Sequence, residues 1–157
     1  MDASPLLPRC PPGLPRAAYL SPDWYAQEQR DIFAREWICV GRAADLPAGT
    51  QRPLTIAGAP VLLLRSPDGQ AAAFHNACRH RGAELCAAES AVGKLIRCPY
   101  HAWAYRADTG ALVGTGPARP TADFDRNAHG LHPVALTEWA GLLFVNLSPH
   151  PGPLAPD

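Results

Sequence analysis

The sequence predicts a mainly β protein, a sandwich or barrel with one N-terminal helix. Three observations predict it. Eighteen prolines and 13 glycines in 157 residues call for many turns and short strands rather than a helical bundle. Several short apolar runs are bounded by turn residues, as half-buried and buried strands require. One stretch, near the N-terminus, carries helix-start chemistry ahead of a segment long enough for a helix. The length and a hydrophobic content of 47% fit one domain with a real core rather than two.

Residues 1–20 are rich in proline and arginine without a hydrophobic period and read as an extended arm. Ser21-Pro22-Asp23 then offers a hydroxyl cap, a proline in the first turn and a carboxylate at the helix's positive end. The helix is expected over 21–37, with Phe33 and Trp37 one turn apart on its buried face. From Trp37 onward the signals are those of strands. Val61-Leu62-Leu63-Leu64 and Ala71-Ala72-Ala73-Phe74 flank Ser66-Pro67-Asp68-Gly69, a hairpin with its turn chemistry in place. Trp103 to Arg106 and Ala111 to Val113 flank Asp108-Thr109-Gly110 in the same way. A strand near Val134 to Leu136 precedes the apolar run Leu142-Leu143-Phe144-Val145, and the proline-rich tail 149–157 reads as loose.

Acidic and basic residues balance at 14 each, so no nucleic-acid or membrane-surface partner is implied. No run of about 18 apolar residues is present to span a bilayer. The N-terminus lacks a secretory pattern, which makes the cytoplasm the expected location. The five cysteines are odd in number and unevenly spaced, which fits reduced thiols better than a disulfide framework. Cys39, in the run Trp37-Ile38-Cys39-Val40, is expected to be a small buried hydrophobe, and Cys10 an exposed residue of the arm.

The chemistry is concentrated in two hooks, Cys78-Arg79-His80-Arg81-Gly82 and Cys98-Pro99-Tyr100-His101. Each supplies one sulfur and one nitrogen. Four such donors suit a [2Fe–2S] centre in which histidines replace cysteines on one iron. A tetrahedral zinc is the rival, since two sulfurs and two nitrogens suit it as well. Zinc hooks more often pair like with like, whereas mixed hooks laid side by side place both cysteines deep and both histidines near the surface.

The C-R-H-R-G and C-P-Y-H-x-W hooks resemble those of Rieske-type oxygenase α subunits, the aromatic-ring-hydroxylating dioxygenases and related monooxygenases. The resemblance extends from Asp23-Trp24-Tyr25 through Arg35-Glu36-Trp37 to Gly141-Leu142-Leu143-Phe144-Val145-Asn146-Leu147, and covers about residues 19–149. It implies a Rieske domain over 21–148 with a Rieske-type [2Fe–2S] cluster at one tip. In it Cys78 and Cys98 ligate the inner iron and His80 and His101 the outer one. Rieske proteins of respiratory and photosynthetic complexes carry an extra disulfide between the cluster loops, at positions that here are Ala83 and Tyr100. They also place a serine near a cluster sulfur, where this chain has Trp103. Fewer hydrogen bonds to sulfur imply a potential toward the low end of the Rieske range, about −150 mV. Cys86 is read as structural. Ala102 stands where the family commonly has glycine, and its methyl is expected to be tolerated. Arg79 and Arg81 either orient the cluster loop or meet an acidic redox partner, or are merely solvated. Trp103 and Tyr105 either shield the cluster or are plain core.

By the same resemblance, electrons come from a reductase or ferredoxin and pass to a mononuclear iron held by two histidines and a carboxylate. That site belongs to a catalytic domain expected to be absent from this chain, so no catalytic residue is assigned. Asp125, His129 and His132 are the nearest to such a triad but have the wrong spacing, and read better as a polar loop. The alternative is a stand-alone carrier similar to a Rieske ferredoxin, which would not usually carry the N-terminal helix. Substrate is not legible, although relatives acting on quaternary amines as well as aromatic acids share the tryptophan-flanked hook.

Overall fold

A computed structural model describes residues 12–154 of the chain. Ten strands form three antiparallel sheets: β1 (Ile38–Arg42), β10 (Leu142–Asn146) and β9 (Ala135–Trp139) in that order; β4 (Ala71–His75), β3 (Ala59–Arg65), β2 (Thr50–Ile56) and β5 (Ser90–Ala91); and β6 (Leu95–Arg97), β7 (Trp103–Arg106) and β8 (Leu112–Thr115). The first two sheets are tied together through β4. Phe74 bridges to Pro133, the His75 amide donates to the His132 carbonyl at 2.9 Å, and the Val134 amide donates to the Ala73 carbonyl at 2.9 Å. The mainly β architecture expected from composition is what forms.

Strand β3 explains how so small a chain holds two cores. Its apolar run is buried on both faces, as continuous rather than alternating hydrophobicity requires. Leu62 and Leu64 point into a core with Phe74, Cys78, Cys98, Trp103 and Tyr105. Val61 and Leu63 point the other way, into a second core with Leu143 and Val145. The same strand therefore transmits the rigidity of the β1–β10–β9 sheet to the wall behind the hooks.

The hairpins close as their turn residues dictate. Ser66 to Gln70 reverses the chain with Arg65 opposite Ala71, and the Asp108-Thr109-Gly110 turn joins β7 to β8. Ala57-Gly58 and Ala140-Gly141 each take two consecutive positive φ angles, the geometry that two-residue hairpins favour.

The N-terminal region departs from expectation in three ways. A first helical turn, α1 (Ala17–Leu20), lies inside what reads as an arm, and residues 1–11 of that arm, with Cys10, fall outside the described residues. Ser21 caps α2 (Pro22–Glu28) as expected, but the helix widens into a π-helical turn at Gln29–Phe33 and does not reach Trp37. The exit is fixed by tertiary contacts instead: Asn146 Nδ2 donates to the Arg35 carbonyl at 2.9 Å, and Trp37 Nε1 donates to the Gly152 carbonyl at 2.8 Å. The second bond also ties the tail down at Gly152. Among the described residues no helical residue of this region is buried; Phe33 is exposed and Trp37 only half-buried. Cys39 is likewise exposed rather than buried, because it lies on the outer face of β1.

Candidate metal centre

Both hooks hang from the ends of strands and are closed by the same pair of backbone hydrogen bonds. In the first, the Cys78 amide donates to the Ala83 carbonyl at 2.8 Å and the Gly82 amide donates back to the Cys78 carbonyl at 2.9 Å. In the second, the Cys98 amide donates to the Trp103 carbonyl at 2.8 Å and the Ala102 amide to the Cys98 carbonyl at 3.1 Å. Gly82 and Ala102 thus hold equivalent positions, with φ of 70° and 57°. Glycine suits that left-handed conformation and alanine adopts it at a cost. The methyl of Ala102 faces solvent, so the cost lies in the backbone and not in crowding of the metal centre.

The first hook is pinned by Asn76, a polar side chain only 2% exposed yet fully engaged. Its Oδ1 accepts from the amides of Leu85 and Cys86 at 3.2 and 3.0 Å, and its Nδ2 donates to the Cys86 carbonyl at 2.7 Å. Cys86 itself points away, its thiol donating to the Ala88 carbonyl at 3.0 Å, as a structural residue would. A third loop closes over the second hook. Gly116 abuts the His101 carbonyl so closely that any Cβ would collide with it.

The four donors meet at one end of the β6–β7–β8 sheet. Cys78 and Cys98 are buried, at 3% and 4% exposure, while His80 reaches the surface and His101 is half-buried. The two imidazoles stand 4.9 Å apart, centroid to centroid, at 76°. His101 Nδ1 is buried without any hydrogen-bond partner, and a buried lone nitrogen of this kind asks for a ligand. Burial raises the Cys78 thiol above its ordinary value. Tyr105 pulls it down and neighbouring Cys98 pushes it up again. Ionised together, two adjacent buried sulfurs would need a cation between them, and a metal would supply it. The donor set, two deep sulfurs and two shallow nitrogens, fits a dinuclear iron–sulfur centre better than zinc.

Tyr105 has a role that its place on a strand does not reveal. It is wholly buried, and its hydroxyl lies 3.1 Å from Cys78 Sγ while accepting the Arg79 amide at 3.1 Å. With one lone pair so used, its O–H is free to donate to the sulfur. Burial, and then the bond to Cys78, push the phenol well above its ordinary range, so it keeps that proton. Tyr105 is therefore a positioning residue as well as core. It restores a sulfur hydrogen bond that the absence of a serine at Trp103 seemed to remove. Trp103, 5% exposed, stacks on His80 at 4.8 Å and 14° and shields that side. The Arg79 Nε is buried without a partner, and Arg81 is exposed.

Asp125, His129 and His132 are not brought together. His129 Nδ1 donates to the backbone carbonyl of Asp125 at 2.7 Å, and its ring stacks on Phe124 at 4.4 Å. His132 faces His75 across 6.4 Å.

Residues 36–131 match the family model for the Rieske [2Fe-2S] domain. The chain is 44% identical over 140 residues to the glycine betaine monooxygenase oxygenase subunit of Chromohalobacter salexigens, covering 88% of the chain and 31% of that protein. It is 36% identical to the carnitine monooxygenase oxygenase subunit of Escherichia coli K12, covering 87% of the chain and 37% of the relative. The crystal structure of a quaternary ammonium Rieske monooxygenase superposes with a TM-score of 0.81 at 29% identity, over 90% of this chain and 41% of that one. That of naphthalene 1,2-dioxygenase from Rhodococcus sp. does so with a TM-score of 0.77 at 28% identity, over 88% and 32%. The chain spans about a third of the length of the curated relatives it matches. With hooks, fold and family model in agreement, the chain belongs to the Rieske [2Fe–2S] domain family, of the kind carried by the oxygenase subunits of Rieske oxygenases.

Proposed function

We propose that Cys78 and Cys98 hold the inner iron of the cluster, that His80 and His101 hold the outer one, and that the Rieske domain proper occupies residues 21–148. The observation that carries this reading is the pairing of two buried thiols with two imidazoles 4.9 Å apart, one with an orphaned Nδ1. When bound, the cluster takes up and releases one electron. The protein's own residues do the rest. Strand β3 and Asn76 keep the thiols fixed, Tyr105 donates to Cys78, and Trp103 covers one side of His80. The imidazoles are left as the surface through which a partner communicates.

The donor on this reading is a reductase or ferredoxin, and the acceptor a mononuclear-iron oxygenase domain beyond these residues. The helical segment 17–33 supports a place in an oxygenase subunit over a stand-alone carrier, because none of its residues is buried within the described residues. The setting is cytoplasmic; no helix of the described residues is long and apolar enough to cross a membrane. The relatives' names extend the proposal to the whole protein as a monooxygenase of a quaternary ammonium compound, since identity is 36–44% to the subunits cited above and 29% to an anthranilate 1,2-dioxygenase large subunit.

Iron, zinc and acid-labile sulfide analysis with EPR of the dithionite-reduced protein tests the assignment. Two irons and two sulfides per chain with a Rieske-type signal are expected, and Cys86→Ser leaves both unchanged. One zinc without sulfide would overturn the centre, and loss of the cluster in Cys86→Ser would overturn the ligand set.

A further inference from the structure

Trp103 is held from two directions. One face lies against His80, at 4.8 Å and 14°. Phe124 also meets it at 6.0 Å and 85°, and His129 at 5.9 Å and 67°. Phe124 and His129 stack on one another at 4.4 Å and 29°, making a two-ring wedge. The wedge comes from the loop between β8 and β9, and its placement is built rather than incidental. Arg126 Nη1 donates to the Val113 carbonyl at 3.0 Å, which ties the loop to β8. His129 Nδ1 donates to the Asp125 carbonyl, Asp125 Oδ1 accepts the Asn127 amide at 2.8 Å, and the Leu131 amide donates to the Gly110 carbonyl at 2.8 Å. The bonds to Val113 and Gly110 hold the loop against the strand that carries its start. Without the wedge, Trp103 would meet solvent where it now meets two rings.

We infer that Phe124 and His129 are positioning residues for the metal centre: they clamp Trp103 against His80, and so set how much water reaches the outer-iron side and with it the reduction potential. Two thiolates and two sulfides balance two ferric ions, so the oxidised centre is neutral and reduction leaves one negative charge. Water near the centre favours the charged state, and a dry aromatic cover disfavours it. Removing the cover must therefore raise the potential. His129 serves here by the bulk and stacking of its ring.

The inference rests on the cluster assignment above, and the test separates the two. Phe124→Ala and His129→Ala are prepared in the full chain with iron and sulfide counted in each. Midpoint potentials are taken by EPR-monitored redox titration, and water access by deuterium modulation in pulsed EPR of samples in heavy water. Both variants should keep two irons and two sulfides, shift the reduced-to-oxidised ratio at fixed poise threefold to tenfold toward reduced, about 30–60 mV for a one-electron couple, and show deeper deuterium modulation. His129→Phe, which keeps a ring in the wedge, should stay near the wild-type potential. Unchanged potential and modulation in both alanine variants would overturn the inference, as would His129→Phe shifting as far as His129→Ala. If an alanine variant loses its cluster, Phe124→Leu decides: it keeps bulk but not the flat stack, and an unshifted potential there refutes the clamp. A wild-type protein without iron and sulfide would instead refute the cluster assignment itself.

Discussion

Tyr105→Phe isolates one hydrogen bond at the centre with little change in shape. The hydroxyl it removes sits 3.1 Å from Cys78 Sγ and 3.1 Å from the Arg79 amide. A hydrogen bond to a charged group contributes about 1.5–3 kcal/mol, and the part that differs between oxidation states, about half, becomes a shift in potential. At roughly 59 mV and 1.4 kcal/mol per tenfold for one electron, that is a fall of about 30–60 mV, because the lost donor favoured the more negative, reduced centre. The Arg79 amide also loses its acceptor, which should cost about 1–3 kcal/mol of stability. The phenol is pushed up by burial and by Cys78 and stays protonated well past neutrality. The difference between variant and wild type should therefore be flat from about pH 6 to pH 9. Redox titration followed by EPR measures the midpoint, and urea unfolding measures the stability. A variant with its full complement of iron and an unchanged or higher midpoint would refute the donor role of Tyr105. The predicted sign is opposite to that for removing the aromatic wedge, so general loosening of the site cannot imitate both.

Three further outcomes follow from particular residues. Ala102→Gly should stabilise the protein by about 0.5–1 kcal/mol, since a left-handed alanine costs about 1–2 kcal/mol and glycine returns part of that as unfolded-chain entropy; urea titration of the two proteins checks it. Leu63→Ala empties space in the core away from the hooks and should cost about 2–5 kcal/mol in the same assay, while the EPR line shape of the reduced centre stays as in wild type. His75 has its imidazole value lowered, first by burial and then by His132. Its folded value lies below the unfolded one, so it contributes stability that is full above about pH 6.5 and is lost as pH falls through the lowered value. His75→Gln should thus show a smaller fall in melting temperature between about pH 8 and pH 5 than wild type; an equal fall would show that His75 is not the group responsible.

The legible parts of the fold were those written locally. The Ser66 to Gly69 turn and the apolar runs beside it needed no distant partner to be recognised, and neither did the Ser21 cap. Strand β2 was illegible for a physical reason. Its sequence Thr-Gln-Arg-Pro-Leu-Thr-Ile mixes polar residues with a proline, which suits a strand only where the proline's missing N–H is not required. Pro53 lies opposite Leu62 on one side, and β5 pairs only with Thr50 and Gln51 on the other. The helix end was misjudged because its terminator is not in the helix at all. Asn146 and Gly152, more than a hundred residues away, receive the chain at Arg35 and Trp37.

The ligand candidates were legible because each hook carries its donors within four residues, but what tunes them was not. Tyr105 is 27 positions from Cys78 and Phe124 is 44 from His80, so their meeting depends on strand register. One signal was available. Trp103 and Tyr105 sit two apart on a strand that begins at the second hook, so both must face the same side. Once Trp103 lies against His80, the strand has no choice but to aim Tyr105 at the same centre, one rung deeper, where the thiols are. That placement accounts for the division of labour along β7. The outer residue, an indole stacked on His80, shields that imidazole. The inner one, a phenol, donates to sulfur. The order tryptophan then tyrosine follows from the depth order of nitrogen and sulfur in the hooks.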